Sequence, residues 1–196
     1  MGQRSQIYIR YSVDDGRIYT GFIARYFQWN FAERMISRAT DIIETIATMN
    51  QHKYLWRDIT KLVRICDVNF DMRDIQISTN ILQEISAGEY ELSYLFEQDA
   101  NDGQLLIEVI DDCIKYAFIE GPSNPKPMSA RTYMKWDTGT DWTNNQSVWP
   151  KETVRYTQKN IRRIQRKASL MTKNEVNEFL SADYSDFINR IKEKNQ

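Results

Sequence analysis

The chain has 196 residues, enough for one globular domain that buries roughly 70% of its unfolded surface and needs no disulfide to hold it. A hydrophobic fraction of 41% with 12% aromatics excludes a disordered chain. No apolar run approaches the roughly 18 residues of a membrane span, and the net charge of −1 conceals a strong separation of acidic from basic residues.

In chain order, QIYIRYSV and RIYTGFIARYF alternate apolar and polar residues around Asp14-Asp15-Gly16, which predicts an N-terminal β-hairpin. In NFAERMISRATDIIETIATMN, Met35, Ile36, Ala39, Ile42, Ile43 and Ile46 follow helical spacing. Asn30 with Glu33 three residues on reads as an N-cap and its capping-box partner. YLWRDITKLVRIC carries the same period and predicts a second helix. DIQISTNILQEIS and EYELSYLF are ambiguous, the first half leaning toward strand. QLLIEVI and IKYAFIE flank Asp111-Asp112-Cys113 as a second hairpin, and GPSNPKP is a loop.

MKWDTGTDWTNNQSVWP sets Trp136, Trp142 and Trp149 in polar, irregular sequence, either as core residues or as interface anchors. The remainder reads as helical: KETVRYTQKNIRRIQRKASL, then TKNEVNEFL opened by a Thr172/Glu175 capping box, then SDFINRIKEK. The expected class is α+β, with an N-terminal hairpin and helices, a central antiparallel hairpin and a helical C-terminal part. Residues 1–150 form the α+β domain, and residues 151–196 a helical segment packed on it. Cys66 and Cys113 follow no framework pattern, and the start MGQRSQIYIRY has no signal-peptide core; both point to a reducing, cytoplasmic setting.

The charge map carries the functional information. From Asp67 to Asp112 twelve acidic residues face one basic residue, Arg73; from Lys151 to Lys173 eight basic residues face one acid, Glu152. The densest acidic stretch, FEQDANDGQLLIEVIDD, offers Glu97, Asp99, Asp102, Asp111 and Asp112 as a face for a cationic partner. A divalent metal is a second use of the same region. Asp102, Glu108, Asp111 and Asp112 would then be the catalytic carboxylates of a metal-dependent RNase. An EF-hand is excluded, because the glycine after Asp99-Ala-Asn101-Asp102 comes one residue early and position twelve is Ile110.

His52 is the only histidine and sits in polar MNQHKY, so neither a nucleophile–histidine pair nor a structural zinc site is supported. On a helix, Arg155, Lys159, Arg162, Arg163, Arg166 and Lys167 cluster largely on one side, a ridge able to neutralise phosphates of nucleic acid. Arg34 and Arg38, one helical turn apart beyond Arg25, could extend it, although Glu33 and Asp41 are local partners.

The blocks GQRSQIYIRY, ARYFQWNFAERMISRA and DVNFDMRDIQIST resemble a family of small phage and prophage proteins of low-GC Gram-positive bacteria, over roughly residues 2 to 115. The family has no functional motif that transfers residue by residue. The resemblance implies an inhibitor of host defence, of the kind that blocks Cas9-type effectors in the bacterial cytoplasm, with the effector as partner and guide RNA as a further contact. A guide-truncating nuclease and a nucleic-acid-binding phage regulator are the other readings.

Overall fold

A computed structural model describes residues 3–67, 78–145 and 147–194 of the chain. The N-terminal hairpin forms as its alternation dictates. Strands β1 (Arg4–Asp14) and β2 (Ile18–Gln28) pair antiparallel from Arg4↔Gln28 to Asp14↔Ile18, and Gly16 takes the left-handed conformation at the turn. The central hairpin follows, with β4 (Gln104–Ile110) antiparallel to β5 (Cys113–Ile119). The period-2 pattern does not say that β4 lies parallel to β1 and joins the two hairpins into one sheet.

Two short strands, β3 (Ser78–Asn80) and β6 (Ser169–Leu170), complete the order β3-β2-β1-β4-β5-β6. The fold is α+β, with helices on both faces of this mixed sheet. One face carries Ile7, Ile9, Leu105, Ile107 and Phe118 against α1 (Ala32–Gln51), α2 (Thr60–Asp67), α4 (Ala130–Thr138) and α5 (Lys151–Lys167). The other carries Tyr8, Phe22, Leu106 and Ala117 against α3 (Ile81–Ala87), α6 (Lys173–Ser181) and α7 (Ser185–Lys194). The segment from residue 151 onward supplies Val154, Ile161 and Ile164 to the first core and Met171, Val176 and Phe179 to the second.

Several local expectations are corrected. Helix α1 begins with Phe31 at the N-cap and no side-chain cap. Asn30 is fully buried: its Nδ2 donates to Ser5 Oγ (3.2 Å) and its Oδ1 accepts from Arg38 Nε (3.0 Å). The helix is entered instead against Asp137 of α4, whose carboxylate faces the Ala32 N–H. The predicted second helix is broken at Asp58: Lys53–Arg57 is a 3-10 turn, and Asp58 Oδ1 accepts from Thr60 N–H (2.9 Å) to start α2.

MKWDTGTDW is irregular only after Thr138, because Ser129 caps α4 by accepting from the Thr132 N–H. The ambiguous NILQEIS is helix α3, closed by left-handed Gly88. The acidic residues Asp71 and Asp74, with Arg73, lie outside the described residues. The Thr172/Glu175 capping box is present in both directions.

Candidate functional site

The acidic stretch does not fold into one patch. Asp111 and Asp112 form the β4–β5 turn, with Asp111 at φ 51° and its Oδ1 accepting from the Asp14 N–H (3.1 Å), while Asp112 pairs with Lys53 (3.4 Å). Asp99 and Asp102 lie at the opposite end of β4, about 20 Å away for a seven-residue strand. Between them Glu108, half-buried, forms an ion pair with Arg10 on the neighbouring strand, and the Arg10 guanidinium also stacks on Phe179 (4.8 Å). Asp102, Glu108, Asp111 and Asp112 are therefore not brought together. Among the described residues no group of three or more His, Cys, Asp or Glu is placed to hold a metal ion.

Asp102 is turned inward and belongs to a second, buried acid group. Its backbone carbonyl accepts from Tyr133 Oη (3.0 Å), and that hydroxyl is 3.5 Å from Asp137 Oδ1. Burial pushes the Asp102 carboxyl up to about 6. Burial, and then the nearby Asp102 and Glu33 charges, push Asp137 up to about 7, against the opposing hydrogen bonds from Ala32 and Tyr133. Glu33 is also raised, by burial first. Nothing in the sequence marked Asp137, which sits between Trp136 and Thr138 in a polar run.

Glu97 and Asp99 instead form part of a cleft of about 430 Å³. Its walls are Tyr26 of β2 and Tyr90 and Tyr94 of the loop after α3, and its carboxylates are Glu84, Glu97 and Asp99. Tyr90 is 45% and Tyr94 53% exposed, large aromatic surfaces left facing solvent. Asp99 is held by Arg4, whereas Glu84 and Glu97 form no ion pair among the described residues. Burial first, and then the Glu89 charge, raise the Glu84 carboxyl above its ordinary value. The alternation of tyrosine and acid in GEYELSYLFEQD was the sequence signal for this cleft. Each of these residues alone has the composition of an ordinary loop.

The basic segment is helix α5, as expected, but its cations divide. Arg163 turns inward: its guanidinium forms a forked pair with Glu44 of α1 and donates to Asn160 Oδ1 (3.1 Å). The hydrogen bond to Glu44 raises it above its ordinary value. Arg155, Lys159, Arg162, Arg166 and Lys167 are exposed. Arg155, Tyr156, Gln158, Lys159 and Arg162 line a shallow groove of about 370 Å³.

Arg25 and Arg38 do not extend the ridge. Arg25 pairs with Asp67 (2.7 Å). Arg38 is buried, stacked on Phe27 (4.5 Å), and donates to the Cys66 carbonyl (2.8 Å) at the C-terminus of α2. The tryptophans are core residues: Trp142 is buried, and Trp136 and Trp149 pack against the first core. His52 is exposed, and the buried Cys66 thiol is pushed up to about 12 by desolvation.

No helix among the described residues is long and apolar enough to cross a membrane. Comparison with known protein families, with curated proteins and with solved structures finds no match to this chain.

Proposed function

We propose that the chain is a non-catalytic binding protein that docks on the cationic surface of a nucleic-acid-handling protein. The partner class is the one the sequence resemblance implies, a Cas9-type defence effector in the bacterial cytoplasm, and docking blocks the surface that the effector uses for nucleic acid. The observation that carries this reading is the cleft in which Tyr26, Tyr90 and Tyr94 stand beside Glu84 and Glu97, with Asp99 already paired to Arg4 at its wall.

A guanidinium or ammonium group entering it gains charge-assisted hydrogen bonds from the carboxylates and a cation–π contact from the rings. Such effectors hold nucleic acid in channels lined with those cationic groups. The surrounding loop adds Glu89 and Glu91, both exposed, so the approach is steered over a longer range than the contact itself.

The test is the affinity of purified chain for guide-loaded effector, measured by interferometry at two salt concentrations. Glu84→Lys with Glu97→Lys, and separately Tyr90→Ala with Tyr94→Ala, are each expected to weaken binding by at least about tenfold. Asp111→Lys with Asp112→Lys, at the far end of β4, is expected to change it little. Absence of binding, or equal sensitivity at both ends, overturns the reading.

A further inference from the structure

We propose that the outward face of α5 is a binding surface for single-stranded nucleic acid, with Arg155, Lys159, Arg162 and Arg166 on phosphates and Tyr156 under a base. This goes beyond docking on a protein partner and rests on different residues.

The first observation is concentration without neutralisation. Several cations elsewhere in the fold are matched with acids: Arg4 with Asp99, Arg10 with Glu108, Arg25 with Asp67, Lys115 with Glu175. On α5 this stops at Arg163, which takes Glu44. Burial raises the carboxyl of Asp41, the other nearby acid of α1, above its ordinary value against the opposing Arg163 charge. Arg155, Lys159, Arg162 and Arg166 make no ion pair among the described residues, and the one acid of the helix, Glu152, sits exposed in its first turn without pairing with them. Their spacing of four, three and four residues puts them on one side of the helix over about 16 Å.

The second observation is Tyr156. It lies among these cations, is 52% exposed, and its hydroxyl is 3.4 Å from Ser37 Oγ of α1, a contact that ties the ring to the neighbouring helix. An apolar ring held at the surface inside a basic groove offers a stacking platform. Only an unpaired base can use it, because the bases of a duplex already stack on one another. Gln158 in the same groove adds a neutral hydrogen-bonding group that either sugar or base can meet.

The experiment is fluorescence anisotropy of the full chain with a short labelled oligouridylate, across rising sodium chloride. With three to four phosphates neutralised, the expected slope of log K against log salt is about −2 to −3. Lys159→Ala with Arg162→Ala is expected to make the slope shallower by about 1.4. Tyr156→Ala is expected to lower affinity at least about fivefold and leave the slope unchanged. All three positions are exposed, and a matching thermal midpoint confirms the variants fold.

Glu84→Lys with Glu97→Lys should leave oligouridylate binding in place, which separates this surface from the acidic cleft. No binding at low salt overturns the proposal. So does a slope unmoved by the basic-residue variant, or displacement by duplex or by polyglutamate as effective as displacement by the unlabelled single strand.

Discussion

Asp137 does the work that a polar residue just before α1 was expected to do. A carboxylate at a helix N-terminus normally enjoys the positive end of the dipole and titrates low. Here burial outweighs that, and the group is pushed up to about 7. The groups facing it are Asp102 from the segment before β4, Glu33 of α1, Tyr133 of its own helix and the Ala32 N–H.

Because the folded value lies above the unfolded one near 4, the native state holds more protons than the unfolded chain between about pH 4 and pH 7. Stability therefore falls as pH rises through that window, the reverse of an ion-paired carboxylate such as Glu175, which Lys115 and the Thr172 hydrogen bonds hold down to about 2. Asp137→Asn keeps an acceptor for the Ala32 N–H and removes the titration. We expect it to reduce the loss of stability between pH 5 and pH 8 by on the order of 1–2 kcal/mol, after discounting for the part of the group that water still reaches. Urea-unfolding midpoints of both proteins at the two pH values decide it, and identical pH slopes would refute it.

The hairpins were legible because apolar, β-branched and aromatic runs flank a polar turn in each, around Asp14-Asp15-Gly16 and around Asp111-Asp112-Cys113. Helix α1 was legible from its period and α6 from its Thr172/Glu175 box. Helix α4 was not, since TYMKWDT carries too few apolar residues to show a period. Its signals were instead Ser129 before it and left-handed Gly139 after it. Helix α3 has seven residues, under two turns, and is fixed by packing of Ile81, Leu82 and Ile85 beneath the second core.

One glycine shows how tightly these elements meet. Gly21 lies opposite Tyr11 in the β1–β2 ladder, and a Cβ built on it would come within 2.0 Å of the Tyr11 hydroxyl. That ring already packs at a tilt against Trp56 (5.1 Å between centroids) and has little room to give. Gly21→Ala is expected to cost about 1–3 kcal/mol as overpacking. Chemical denaturation measures it directly; an unchanged midpoint would mean that Tyr11 can swing clear.

At the scale of the molecule, what the sequence could not disclose is the joining of distant segments. The charge asymmetry was readable as composition. Its division into an acidic cleft before β4, a separate turn after it and a ridge on α5 depends on strand β4 standing between the two acidic ends. The same non-local joining makes residues 151–196 integral. Helix α5 lies on α1, Ser169–Leu170 pairs with Lys115–Tyr116 of β5, and α6 and α7 cover Phe22, Phe96 and Tyr184 on the opposite face.

Removing that segment would open both faces of the sheet and expose the β5 edge at once, with no compensating contact. We therefore expect the chain ending at residue 150 to lose cooperative unfolding altogether, rather than to behave as a trimmed domain. The measurement is urea unfolding followed by tryptophan fluorescence, since Trp142 and Trp56 are buried in the remaining part and report its packing. A sigmoidal transition in the truncated chain would show that residues 1–150 hold their core alone. Recovery of the transition on adding residues 151–196 as a separate peptide would locate the missing stability in the packing between the two segments.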